Sequence, residues 1–122
     1  MQNFTTFEEI ISWKKARSLN REIYLTTEEV FKKDFDLARQ IRRASVSISS
    51  NIAEGFERHT DKEFIHFLYV AKASAGEVRS QLYLIFDLNY IPKETLENLL
   101  FKVTEISKLL AGFIKYLETK KQ

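Results

Sequence analysis

Few residues in this chain have the type and spacing to do chemistry. Glu63 and His66 stand in a Glu-x-x-His spacing, the form used by carboxylate-bridged di-metal bundles. Such a site needs the motif on two helices and a further Glu from each of two others. Here it occurs once, and both residues fall off the apolar stripe of their helix. Glu63 is therefore read as a capping residue and His66 as a surface or interface side chain, with no metal. His59 is the other imidazole, so these two histidines are the only candidate bases for a nucleophilic triad. No Ser, His and acid stand at an informative spacing. The lack of Cys removes disulfides, thiolate ligands and a Cys nucleophile. Three scattered Gly build neither a phosphate loop nor a dinucleotide fingerprint. No catalytic residue and no cofactor are assigned, and the chain is read as not an enzyme.

Arg39, Arg42 and Arg43 offer a different chemistry. They place three guanidinium groups within five residues at the start of a predicted helix. Positive charge there opposes the helix dipole, so it does not serve the helix itself. A guanidinium fork can donate two hydrogen bonds to one phosphate. The competing reading is a solvated face paired with Asp36, Glu54 or a neighbouring helix. Lys108 and Lys115, seven apart on a later helix, are candidates to extend the patch. Lys120 and Lys121 are read as a tail. No aromatic lies among the three arginines along the sequence, so the expected binding is to phosphate rather than by base stacking. Overall charge is too balanced to settle the matter: 19 basic against 17 acidic residues, a net of +2.

The elements that must position these groups are helices. The chain has 122 residues, 44% hydrophobic, with three Gly and one Pro. A sequence so poor in turn formers cannot make the many turns of a sandwich or barrel. Four helices are predicted, at about 8–30, 36–56, 61–87 and 92–119, in one domain over 1–122. The first carries Ala16, Leu19, Ile23 and Val30. Phe7 and Ile10 fall off that stripe and are read as a lead-in turn over one end, with Thr6 and Glu9 as a capping box. The second has Asp34 or Asp36 as N-cap, a stripe of Leu37, Ile41, Ala44, Ile48 and Ile52, and Gly55 marking its end to within two residues. The third opens on a Thr60…Glu63 capping box and carries Phe64, Phe67, Leu68, Ala71, Ala75, Val78, Leu82, Ile85 and Phe86. Pro92 suits the first turn of the fourth, whose stripe is Leu96, Leu99, Val103, Ile106, Leu110, Phe113, Ile114 and Leu117. Short connections favour antiparallel neighbours, so the fold class is all-α, an antiparallel up-down-up-down four-helix bundle.

The third helix carries a second seam. At about 100° per residue, Ile65, Tyr69, Gly76, Ser80 and Tyr83 gather well away from the core stripe, with Lys72 at the margin. Val46, Ser49 and Ala53 lie off the core face of the second helix. Single exposed apolar groups are ordinary, but a contiguous mix of aromatic and small residues suits an interface. These eight residues are read as a subunit interface of a homo-oligomer. The N-terminus shows no basic region followed by an apolar run, and no stretch approaches about 18 apolar residues. The expected location is cytoplasmic, with no membrane partner.

The order of these motifs resembles that of the bacterial four-helix bundle proteins encoded in intervening sequences of 23S ribosomal RNA genes. The resembling residues begin with Phe7, Ile10 and Trp13-Lys14-Lys15-Ala16. Gln40-Ile41-Arg42-Arg43-Ala44 and Val46-Ser47-Ile48 follow, then Asn51-Ile52-Ala53-Glu54-Gly55, the most specific stretch. Glu63-Phe64, Phe67-Leu68, Ala71, Ser74, Glu77 and Gln81 complete the set, which spans about residues 7–118. One departure is that the family has Gly-Ser where this chain reads Ala73-Ser74, with Gly76 three positions later. The resemblance implies an antiparallel four-helix bundle and a ring-shaped homopentamer. The related accessory proteins of diversity-generating retroelements are basic pentamers that bind nucleic acid and a reverse transcriptase. Of the basic residues, only Arg42 and Arg43 belong to the resembling motif. Two functions stay open: an oligomer that binds RNA or DNA through the second helix, or a scaffold whose ring presents a surface to a protein partner.

Overall fold

The structure is a computed structural model that describes residues 4–120. A 3-10 turn, Phe7–Glu9, leads into α1 (Ile11–Thr26), α2 (Glu28–Lys33), α3 (Phe35–Phe56), α4 (Asp61–Asp87) and α5 (Lys93–Thr119). The expected first helix is thus two. The cause is Thr27, which is buried and whose hydroxyl donates to the Ile23 carbonyl at 2.7 Å. A Thr that bonds back one turn bends the helix it sits in, and Thr27 adopts φ −95°, ψ 10°. The chain then re-enters helix as α2 and turns at Asp34. Asp34, rather than Asp36, is the N-cap of α3, accepting from the Leu37 N–H at 3.2 Å.

The four long helices form the expected bundle. α1 and α4 each pack on α3 and α5, whereas the backbones of the diagonal pairs α1–α4 and α3–α5 stay more than 8 Å apart, Cα to Cα. Cross-helix partners show the antiparallel sense. Asn20 bonds Ser45 and Ser49, while Tyr24, later on α1, meets Arg42, earlier on α3. Lys15 pairs with Glu105 at 3.4 Å and Glu22 with Lys102 at 2.6 Å. The predicted stripes meet in one core, in which Leu19, Ile23, Ile48, Ile52, Leu68, Leu82 and Leu110 are fully buried. Each such side chain contributes about 1.5–3 kcal/mol of burial. Phe67 and Phe86 are only half-buried. Among the described residues no helix is long and apolar enough to cross a membrane.

Several helix ends differ from expectation. Glu9 reaches back to Thr5 rather than Thr6: its carboxylate accepts from the Thr5 N–H at 3.0 Å and the Thr5 hydroxyl at 2.8 Å. Those bonds, the backbone one first, hold the Glu9 carboxyl below its ordinary pKa. Thr60 caps α4 as predicted, accepting from the Glu63 N–H at 3.1 Å. Pro92 stands at the N-cap of α5, one residue before the helix. Lys120 is not a loose tail residue, because it pairs with Asp61 at 3.3 Å. Lys121 lies outside the described residues.

Gly55 lies one residue before the end of α3 at Phe56, as expected, but no glycine has positive φ, so it does not serve as a left-handed cap. It is there for closeness. A Cβ at Gly55 would lie 2.7 Å from Phe67 Cβ and 2.9 Å from Phe64 Cδ1, so any side chain would force α3 and α4 apart. Phe64 uses that proximity to meet Phe56 and Phe113 edge-on at 5.9 and 5.3 Å.

Candidate nucleic-acid interface

The apolar spacing of α3 turns Arg42, Ser45 and Ser49 toward α1. Asn20 lies opposite and joins both serines: Ser45 Oγ donates to Asn20 Oδ1 at 2.7 Å, and Asn20 Nδ2 donates to Ser49 Oγ at 3.0 Å. Ser49 is only 8% exposed. The reading of Ser49 as an outward seam residue is therefore corrected, because its hydroxyl serves the α1–α3 contact inside one subunit.

Arg42 lies one turn further along the same contact. Its Nε–H donates to Thr27 Oγ1 at 2.8 Å, and Nη2 donates to the Tyr24 carbonyl at 3.2 Å. The guanidinium lies over the Tyr24 ring at 4.5 Å and the Phe31 ring at 4.9 Å. Carbonyls in the last turn of a helix lack intrahelical partners and favour a cation, so Arg42 stabilises the α1–α2 break. Two of its five N–H groups are thus used by the fold.

Arg39 and Arg43 flank it on the exposed side of α3. Arg39 lies over the Phe35 ring at 5.2 Å. With Tyr24 and Phe31, these residues line an open cleft of about 340 Å³. Three aromatic rings thus stand among the arginines, contrary to the sequence reading. They come from α1, α2 and the first residue of α3, and only the chain reversal at Thr27 and Asp34 gathers them. Among the described residues none of Arg39, Arg42 and Arg43 forms an ion pair. Glu54, one expected partner, pairs instead with Arg58 at 3.8 Å.

Lys108 and Lys115 do not extend this cleft. Both are exposed on α5, which sits diagonally across the bundle from α3. Lys108 borders a shallow groove with Ile11, Ser12, Leu109 and Gly112. The predicted seam on α4 is outward for most of its length. Tyr69 is 51% and Tyr83 50% exposed, Gly76 and Ser80 are exposed, and Ile65 is half-buried. Leu84 on α4 and Leu88 just past its end add exposed apolar surface outside the predicted seam. On α3, Val46 is exposed and Ala53 half-buried. A Cβ at Gly76 would meet nothing, so packing within the subunit does not call for that glycine. His66 is exposed, its ring edge-on to Phe67. Among the described residues no three His, Asp or Glu side chains come together as a metal site.

The residues that carry the sequence resemblance converge between α3 and α4. Ser47 and Ser74 hydroxyls meet at 2.9 Å. Asn51 Nδ2 donates to the Ser47 carbonyl at 2.8 Å and its hydroxyl at 2.9 Å. Gln81 Nε2 donates to Gln40 Oε1 at 3.3 Å and Glu77 Oε2 at 3.2 Å. With Gly55 these groups form a polar ladder that ends in close backbone contact.

Both the fold and the sequence have relatives among known proteins. Among solved structures the chain is similar to a crystal structure from Bacteroides thetaiotaomicron, described as a protein of unknown function from the S23 ribosomal protein family. The two share 30% identity and a TM-score of 0.83, over 86% of this chain and 99% of that one. A comparison with curated proteins gives no match. Residues 8–112 match the model of the 23S rRNA-intervening sequence proteins, a span that holds the α3–α4 ladder, Gly55 and the arginine cluster together, and the chain belongs to that family.

Proposed function

We propose that this chain is a non-enzymatic, oligomeric binding protein that holds nucleic acid through the outer side of α3. The observation that carries the reading is the cluster of Arg39, Arg42 and Arg43 on one surface with no ion-paired carboxylate. Uncompensated guanidinium groups attract phosphate and release its counterions. Arg39 and Arg43 are the phosphate donors, and Arg42 fixes the ground on which they stand. The family name ties its members to 23S rRNA intervening sequences, which makes RNA the first probe and the cytoplasm the expected location.

Oligomerisation belongs to the same proposal. The exposed Tyr69, Gly76, Ser80 and Tyr83 side of α4 supports a subunit interface, with Val46 and Ala53 as lesser contributors. A homopentamer would repeat the α3 cluster five times and turn weak contacts into avidity. The test is binding of the purified oligomer to RNA and DNA of unrelated sequence across a salt series. The expected result is affinity that falls steeply with salt and changes little with sequence. No binding at low salt would favour the second reading, a protein-interaction scaffold. The exposed Tyr24 beside Arg42 supports that reading, because Tyr and Arg are enriched in protein hot spots.

A further inference from the structure

We propose that the cleft of Tyr24, Phe31, Phe35, Arg39, Arg42 and Arg43 selects single-stranded nucleic acid, stacking an unpaired base on Tyr24 or Phe35 while Arg39 and Arg43 hold the flanking phosphates. This rests on the phosphate-binding reading above and adds to it the class of strand that is held. Phosphate alone needs only charge, yet this cleft also keeps two large rings at its surface: Tyr24 is 44% and Phe35 49% exposed. Each ring already carries a guanidinium, Arg42 at 4.5 Å and Arg39 at 5.2 Å. Phe31 meets Phe35 edge-on at 4.6 Å, which holds the Phe35 ring against α2. Rings and guanidinium planes are the surfaces on which unpaired bases stack. A duplex keeps its bases stacked within itself and can offer such a cleft only its backbone.

The pattern recurs along α1. Trp13, Arg17, Asn20 and Tyr24 follow at spacings of four, three and four, which puts them on the side of α1 that Asn20 joins to α3. Arg17 lies over the Trp13 ring at 5.8 Å, about 16 Å from Tyr24 at 1.5 Å per residue. A second ring–guanidinium pair at that distance continues the track for several nucleotides. Among the described residues, Arg17 and Arg21 form no ion pair either, which leaves two further guanidinium groups on α1.

The experiment uses the full chain and a fluorescently labelled RNA dodecamer, single-stranded or annealed to its complement, titrated at low and at physiological salt. The expected result is at least tenfold tighter binding of the single strand. The Tyr24→Leu, Phe35→Leu double variant should lose about tenfold for the single strand, leave the duplex unchanged and keep the salt slope. As a second readout, Phe35→Trp in a Trp13→Phe background keeps an aromatic face, and its emission should be quenched by the single strand and not by the duplex. Equal binding of both forms, insensitive to the ring substitutions and without quenching, would overturn this inference and leave the phosphate reading standing. No binding of either form at low salt would overturn both.

Discussion

Arg42 Nε donates to the Thr27 hydroxyl at 2.8 Å, and that hydroxyl donates onward to the Ile23 carbonyl at 2.7 Å. The chain of bonds joins the middle of α3 to the point where α1 breaks. Arg42 therefore differs from its neighbour Arg43 despite their adjacency, because Arg42 donates into the α1–α3 contact while Arg43 stays exposed.

Arg42→Ala should cost about 2 kcal/mol in a denaturant melt, since a charge-assisted bond is lost and the Thr27 region loses its donor. Arg42→Lys should recover only part of this, because an ammonium lacks the planar fork and stacks less well. Arg43→Ala should stay within about 0.5 kcal/mol of wild type. Equal losses for the two alanine variants would remove the structural role assigned to Arg42.

With Arg42 left in place, the Arg39→Ala, Arg43→Ala variant should remain folded by circular dichroism and lose affinity for every nucleic acid about equally. The slope of log affinity against log salt should fall by about two contacts' worth. An unchanged slope would take α3 out of the site.

The glycines make a paired test. Gly-to-Ala inside a helix ordinarily gains about 1 kcal/mol. Gly112 meets nothing where a Cβ would be placed, so Gly112→Ala should show that gain. At Gly55 the new Cβ would lie 2.7 Å from Phe67 Cβ, an atom fixed to the backbone of α4. Gly55→Ala should therefore lose about 1–3 kcal/mol through overpacking. A stabilised Gly55→Ala protein would contradict the close approach of α3 and α4.

Light scattering at micromolar concentration should give a multiple of the 14.4 kDa chain mass, with five the expected number. Tyr69→Glu or Ser80→Arg should reduce it toward the monomer, because each sets a charge in a desolvated seam. A monomer mass for the wild type would end the proposal of a ring.

Ile48 and Leu82 are fully buried, and truncating either to Ala should cost about 2–5 kcal/mol. Both were legible from spacing, as was nearly all of the core, since a helix that packs on two neighbours must repeat its apolar residues every three or four positions. The Thr60 cap was legible for a similar reason, being a local bond between near neighbours in sequence. What escaped the sequence depends on distant partners. Thr27 breaks α1 in concert with Arg42, 15 residues away. Gly55 marks the end of α3 to within one residue, but its second role, the close approach to Phe64 and Phe67, depends on residues of another helix. Ser49 lies off the core stripe by angle, yet Asn20 takes it inside. The aromatic side of the arginine cluster was hidden because Tyr24, Phe31 and Phe35 are separated along the chain by two helix breaks.

The diagonal placement of α3 and α5 has a consequence for stoichiometry. Arg43 and Lys108 are exposed on helices whose backbones do not approach each other and line separate surface sites, so a single copy does not gather them into one patch. If the proposed oligomer forms and binds a strand, the two can meet the same strand only where it crosses from one copy to the next. Length would then be read by the assembly: oligomers shorter than that crossing would saturate each cleft independently, and longer ones would tie neighbouring clefts into one cooperative lattice.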